Sequence, residues 1–140
     1  MHIKFIKISV LLISLNIAAC QNSYKKYLPE EVYRKLLVNC PDATSKELEI
    51  YYMDGNCSFC IAKAVKIDYI VSQKPNTKAI FVAISDNSLL TKYYFKEKNI
   101  KSCLILNNDS ILKNSNINFN EVVIIAKDRS ITIVNDDKLY

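Results

Sequence analysis

The chain has 140 residues, of which 50% are hydrophobic and 24% are charged, and its formal net charge is +5 at neutral pH. This composition predicts one packed domain, and the lysines alternate with acidic residues, so no basic nucleic-acid-binding surface is expected. Its single histidine, His2, lies at the extreme N-terminus, which excludes Ser-His-Asp and Cys-His catalysis, mixed Cys/His zinc sites and c-type haem attachment in the remainder.

The N-terminal residues have the features of an export signal. Two lysines precede an apolar run at Ile8–Leu15, which is too short to cross a bilayer as a permanent helix. The following residues, Ile17 to Cys20, resemble the bacterial lipobox, in which small residues precede a cysteine that is acylated and becomes the mature N-terminus. The alternative is an uncleaved anchor or a buried helix with a chance cysteine.

The lipobox resemblance implies a signal peptide at residues 1–19 and a lipidated Cys20, followed by a polar spacer up to residue 28. Acyl chains would attach the protein stably to a membrane. We therefore expect a bacterial cell-envelope protein whose domain, at residues 29–140, lies on the periplasmic or extracellular side.

Hydrophobic periodicity predicts three helices and five strands in this domain. The first helix, Pro29 to Asn39, begins with proline and two acids, which favour a helix N-terminus. Two further helices are predicted at Cys57 to Ser72 and Leu89 to Lys98. The predicted strands are Leu48 to Met53, Ala79 to Ile84, Cys103 to Leu106, Val122 to Ala126 and Ile131 to Val134. The last two strands are predicted to form a hairpin. The turn after the first strand contains the only glycine of the chain, Gly55.

Cys57 and Cys60 form a C-x-x-C motif where the first predicted strand gives way to the second helix. A cysteine at a helix start meets unpaired backbone N–H groups and the positive end of the helix dipole, which lower its pKa. Cys60 follows one turn later and is able to close a disulfide with Cys57. The motif predicts redox chemistry, and the alternative is a stabilising or inert cysteine pair.

From Leu48 onward, the order of elements, the C-x-x-C after the first strand and the closing hairpin resemble the thioredoxin-like superfamily. The segment Ile80 to Leu106 is most similar to its membrane-tethered thiol-disulfide oxidoreductases related to peroxiredoxins. The resemblance implies a three-layer α/β fold, with a mixed central sheet of about four to five strands flanked by helices. It also implies that Cys57 attacks and Cys60 resolves, without a cofactor, on exported thiol or disulfide proteins or a redox partner.

Several positions depart from the superfamily pattern. Asn120 stands at the place of its cis-proline, and Tyr51 at the place where many relatives have a carboxylate, so that Glu49 is the nearest acid on that strand. The usual C-terminal helix has no counterpart after the hairpin, and the helix from Pro29 is a candidate to cover that face. These departures motivate an alternative function, a non-catalytic envelope lipoprotein that uses a degenerate thioredoxin-like fold as an interaction module.

The remaining cysteines, Cys40 and Cys103, form either a second, structural disulfide or two separate thiols, since pairing cannot be deduced from one sequence. An oxidising compartment permits the disulfide. No metal site is predicted, because two isolated cysteines beside one C-x-x-C do not make the paired motifs that are usual for structural zinc.

Overall fold

The computed structural model describes residues 26–106 and 120–139, and the predicted signal peptide and Cys20 lie outside these ranges. Three helices surround one sheet of six strands, in the spatial order β1-β6-β5-β2-β3-β4. The strands are β1 Lys26–Tyr27, β2 Glu47–Asp54, β3 Thr77–Ile84, β4 Cys103–Leu106, β5 Glu121–Ile125 and β6 Ser130–Asn135. The helices are α1 Glu30–Asn39, α2 Ser58–Ser72 and α3 Ser88–Glu97, and short 3-10 turns lie at Pro41–Ala43 and Asp136–Lys138.

The sheet is mixed, as the sequence predicted. β2 runs parallel to β3, and β3 parallel to β4, whereas β5 is antiparallel to both β2 and β6. Helices α2 and α3 are the connections that the parallel strands require. The predicted elements agree with the observed ones to within about two residues at each end, and the three-layer α/β architecture is confirmed.

The two faces of the sheet have separate cores. Along β2, Leu48 and Ile50 point to one face, and Tyr51 and Met53 to the other, as the two-residue period of a strand requires. The first face packs against α1 through the fully buried Leu36. The second face packs against α2 and α3. Helix α1 therefore covers the face of the sheet opposite to α2 and α3.

The edge strand β1 was not predicted. Lys26 pairs with Ile131 and Tyr27 with Ser130, and the next residue, Leu28, is buried in the first core. The last residues of the predicted spacer thus take part in the fold, which adds a sixth strand to the five expected. A two-residue strand carries no periodicity that would reveal it in the sequence.

A disulfide joins Cys40, the residue that ends α1, to Cys103, the first residue of β4. Their Cα atoms are 5.8 Å apart, a separation that is ordinary for a disulfide. The bond links the helix of one layer to the edge strand of the sheet. The structure thus has the pairing, and not the two separate thiols that the sequence left as the alternative.

The end of β6 leads into the 3-10 turn Asp136–Lys138, where the backbone N–H of Asp136 donates to the carbonyl of Asn120. No α-helix follows β6 within the described ranges. Among the helices of residues 26–106 and 120–139, none combines the length and apolar character that a membrane span needs.

Candidate active site

Cys57 is the N-cap residue of α2. Its backbone is extended, with φ −95° and ψ 113°, and its Sγ accepts a hydrogen bond from the backbone N–H of Cys60 at 3.2 Å. An N-cap position is normally taken by Ser, Thr, Asp or Asn, whose oxygen satisfies one of the unpaired N–H groups of the first turn. Here the sulfur takes that role, so the helix start stabilises a Cys57 thiolate directly.

The two thiols of the C-x-x-C motif are free, and their surroundings move their acidities in opposite directions. The Cys60 thiol, which donates to Cys57, and then the Cys60 backbone N–H hold the pKa of Cys57 below its ordinary value. Burial, followed by the same hydrogen bond to Cys57, raises the pKa of Cys60 to about 11. The charge of Asp54 opposes ionisation of both. The site therefore pairs a partly exposed nucleophile with a protonated neighbour.

The turn before Cys57 is locked to the start of α3 by buried polar contacts. Thr91, which is fully buried, places its Oγ1 3.1 Å from the Gly55 carbonyl oxygen and 2.8 Å from Ser85 Oγ. Ser85 Oγ in turn donates to the side chain of Asn56 at 3.0 Å. These contacts hold the segment that carries Cys57 against the C-terminal ends of β2 and β3.

Gly55 is required in this turn because of its neighbours rather than because of its backbone angles. The backbone N–H of Gly55 donates to the backbone carbonyl oxygen of Ile84 at 2.7 Å. A Cβ on Gly55 would lie 2.8 Å from the Cβ of Ser85 and 3.0 Å from Thr91 Oγ1, whereas no glycine in the described ranges has a positive φ. The sequence pointed to a turn that needs glycine, and close packing is the reason for it.

Sequence reasoning did not single out Thr91 or Ser85 as part of the site. Ser85 was recognised only as part of a helix-capping segment, and the residue that caps α3 is Asn87, whose side chain accepts from the backbone N–H of Leu90. Thr91 lies between Leu90 and Lys92 in a predicted helix and has no motif around it. The only signal was its spacing of four from Asn87.

A cavity of about 260 Å³ lies on the Cys60 side of the motif, and we call it the Cys60 pocket. Asn120, which the superfamily resemblance aligned with the cis-proline, contributes to its wall, so the structure brings this residue to the same pocket as Cys60. Lys63, one turn after Cys60, forms an ion pair with the buried Asp136 at this pocket. Sequence reasoning missed this pair, because no motif connects α2 to the segment after β6.

The carboxylate of Glu49 binds a side chain near the C-terminus of α2, at the end of the helix opposite to the cysteines. Its oxygens pair with Lys74 Nζ at 2.6 Å and accept from the Tyr51 hydroxyl at 2.5 Å. Lys74 follows the C-terminus of α2, whereas the cysteines lie at its N-terminus. Tyr51 lines the Cys60 pocket, and its hydroxyl donates to Glu49.

No group of three or more His, Cys, Asp or Glu side chains that could hold a metal ion occurs in the described ranges. The disulfide uses Cys40 and Cys103, which leaves Cys57 and Cys60 as the sulfur atoms available for chemistry there. The arrangement is thus suited to dithiol–disulfide chemistry.

Three solved structures have a similar fold. A secreted Mycobacterium tuberculosis disulfide oxidoreductase homologous to E. coli DsbE has a TM-score of 0.57 and 17% identity, over 71% of this chain and 81% of that one. The thioredoxin domain of a Bacteroides vulgatus thiol-disulfide oxidoreductase has a TM-score of 0.54 and 15% identity, over 72% and 79%. StoA from Bacillus subtilis has a TM-score of 0.52 and 12% identity, over 68% and 80%.

These likenesses, together with the topology, define the fold of the chain as thioredoxin-like, which confirms the class predicted from the order of its elements. Two of the neighbours are described as thiol-disulfide or disulfide oxidoreductases. No protein-family model matches the chain, and no curated protein matches it. At these identities the similarity is one of fold.

Proposed function

We propose that the protein is a lipid-anchored thiol-disulfide oxidoreductase of the bacterial cell envelope, with Cys57 as the attacking and Cys60 as the resolving cysteine. One observation carries the proposal: Cys57 caps α2 with its sulfur, partly exposed, and accepts hydrogen bonds from the backbone and the thiol of Cys60. A buried, inert cysteine pair would favour the interaction-module alternative. Cys57 is partly exposed and is not part of a disulfide.

In the reducing direction, the Cys57 thiolate attacks one sulfur of a substrate disulfide, and the other substrate sulfur leaves as a thiolate. A mixed disulfide then joins Cys57 to the substrate. Cys60 loses its proton to solvent or to the departing thiolate and attacks Cys57 Sγ, which releases the reduced substrate and leaves a Cys57–Cys60 disulfide. The steps run in reverse when the pair is oxidised and the substrate is a dithiol, so a redox partner must restore the starting state.

The envelope location has three supports. The apolar segment and the Ile17 to Cys20 motif resemble an export signal with a lipobox. One structural neighbour is a secreted protein. The Cys40–Cys103 disulfide is of the kind that persists in oxidising compartments.

Trapping of a partner tests the redox function. In a Cys60→Ala variant, the mixed disulfide at Cys57 has no resolving thiol, so covalent complexes should accumulate in the cell envelope and disappear on reduction. The measurement is non-reducing electrophoresis of the full-length chain, isolated after acid quenching of thiols.

The matched control is a Cys57→Ala/Cys60→Ala variant, which retains Cys40 and Cys103 and should trap nothing. Equal complexes from both variants, or none from Cys60→Ala together with no reduction of a model disulfide by the wild type, would contradict the proposed function.

Lipid attachment is tested at Cys20. A Cys20→Ala variant should incorporate no labelled fatty acid, because the acyl chain attaches to the cysteine sulfur. It should also accumulate as an unprocessed precursor or be cut elsewhere, because the predicted cleavage at the peptide bond before residue 20 requires the cysteine. Gel fluorography and mass spectrometry of the N-terminus are the readouts, with Cys57→Ala as a control that should be labelled normally. Labelling of Cys20→Ala at the wild-type level would overturn the anchor.

A further inference from the structure

A second cavity, of about 480 Å³, lies between α2 and α3 and is called the α2–α3 groove here. It begins at Cys57, the N-cap of α2, and its walls follow both helices away from the sheet's active-site edge. The residues that matter for its chemistry are Cys57, Ile61, Val65, Leu90, Tyr94 and Lys98.

The walls of the groove are apolar and accessible. Leu90 and Tyr94 stand one turn apart on α3, and their exposed fractions are 44% and 38%. Ile61, which is buried, and Val65 line the α2 side. Cavities of this volume with mostly apolar linings are typical of ligand-binding sites, and exposed apolar side chains that form one surface usually mark an interaction site.

The position of the reactive sulfur connects the groove to the proposed exchange reaction. Cys57 lines the α2–α3 groove, whereas Cys60 lines the Cys60 pocket together with Asn120. A substrate chain that forms a mixed disulfide with Cys57 is held at the mouth of the groove by a covalent bond. The residues next to the substrate cysteine must then lie against the surface around Cys57, of which the groove is the apolar part.

The far end of the groove is cationic. Lys98 is the only charged side chain among the described residues that line it. Its ammonium contacts Glu97 at 3.2 Å in an exposed pair of adjacent residues, an arrangement that contributes little and leaves the cation able to bind another anion. From Leu90 to Lys98 the helix rises roughly 12 Å, which an extended chain covers in about four residues.

We propose that the α2–α3 groove binds the residues that flank the reactive cysteine of a substrate protein, and that these are apolar residues followed by an acidic residue about four positions beyond the residue that contacts Leu90. This inference rests on the proposed function, because it assigns the substrate class of the same site. The apolar side chains fill the space between Leu90, Tyr94 and Val65, and the carboxylate pairs with Lys98.

Synthetic peptides test this assignment with the full-length, reduced protein in detergent. Each peptide carries one cysteine as a mixed disulfide with thionitrobenzoate, and its flanks are repeated on both sides so that chain direction does not matter. The reference peptide has apolar residues and then glutamate. A second peptide has serines in place of the apolar residues, and a third has lysine in place of glutamate. With peptide in excess, the release of thionitrobenzoate in a single turnover of the reduced protein gives the second-order rate constant, which corresponds to kcat/KM.

We expect kcat/KM for the reference peptide to exceed that for the serine peptide by about ten-fold or more, since burial of one or two apolar side chains has an effect of this size. The glutamate peptide should exceed the lysine peptide by about two- to five-fold. Leu90→Asn should remove most of the apolar preference. Leu89→Asn is the matched control, because Leu89 is 79% exposed on the same helix and does not line the groove; it should keep the preference.

Preferences are ratios between peptides, so a change in Cys57 reactivity cancels. Equal rates for the reference peptide and either comparison peptide overturn the assignment, as does an equal loss of preference in Leu90→Asn and Leu89→Asn. Binding of the same peptides with serine replacing cysteine, measured by fluorescence anisotropy, separates this inference from the proposed function. Selective binding that depends on Leu90, without any thionitrobenzoate release, would refute the exchange activity while upholding the groove.

Discussion

At pH 7, an alkylating reagent should modify Cys57 at least about ten-fold faster than Cys60 in the reduced protein. The pKa of Cys57 lies below its ordinary value of 9.0, and that of Cys60 is raised to about 11. Two pKa units give roughly a hundred-fold difference in thiolate population, since only the thiolate reacts. The greater nucleophilicity of the more basic thiolate reduces this to somewhat above ten-fold, and the partial burial of Cys60 adds to it.

The pH dependence follows from the directions of the two shifts. The midpoint of the rise in alkylation rate with pH should lie below pH 9.0 for Cys57, whereas the rate for Cys60 should continue to increase towards pH 11. Pulsed alkylation followed by peptide mass spectrometry resolves the two sites. Equal rates, or a faster Cys60, would contradict the assignment of the attacking and resolving roles.

Cys60→Ala is an informative control for this measurement. It removes the thiol that donates to Cys57, the first cause of the lowered pKa, but keeps the backbone N–H that donates at 3.2 Å. The Cys57 titration should therefore shift upward in this variant. In Cys57→Ala, the loss of the hydrogen bond that opposes Cys60 ionisation should lower the pKa of Cys60, while its burial remains.

Removal of the Cys40–Cys103 disulfide should lower the melting temperature by roughly 8–16 °C. The cysteines are 63 positions apart, and a cross-link over such a loop restricts the unfolded chain by about 4 kcal/mol in the chain-entropy treatment, of which about 2–4 kcal/mol is usually observed. The bond also holds α1, which covers one face of the sheet, to β4. The variant is Cys40→Ala/Cys103→Ala, measured by thermal unfolding without reductant.

Two comparisons isolate this bond. Dithiothreitol should lower the melting temperature of the wild type by a similar amount and should leave the double variant nearly unchanged. Cys57→Ala/Cys60→Ala removes the same number of sulfur atoms but keeps the Cys40–Cys103 bond, so it should unfold close to the wild type. A melting temperature for Cys40→Ala/Cys103→Ala within about 2 °C of the wild type would show that the bond contributes little to stability.

The apolar periods of β2, α2 and β3 were visible in the sequence because each describes contacts within one element or between neighbours along the chain. Leu48, Ile50 and Met53 alternate between two faces, and Ala64, Ile67 and Val71 follow a helical repeat. Hydrophobic periodicity, together with turn and capping residues, therefore located most elements to within about two residues. β1 escaped because its place depends on β6, about a hundred positions later.

In the candidate site too, the features local in sequence were predictable, and those that join distant segments were not. The sequence by itself determined that Cys57 begins a helix and that Cys60 follows one turn later, because a spacing of three residues in a helix settles their proximity. Only the tertiary structure decided that Cys40 pairs with Cys103 and that Thr91 supports the turn at Gly55.

The α2–α3 groove and the Lys63–Asp136 pair also required the tertiary structure. Each joins segments that lie far apart along the chain, and no local period or propensity encodes which of them meet. Their contacts exist because both connections after the parallel strands pack on one face of the sheet, and because the segment after β6 returns to the edge where α2 begins.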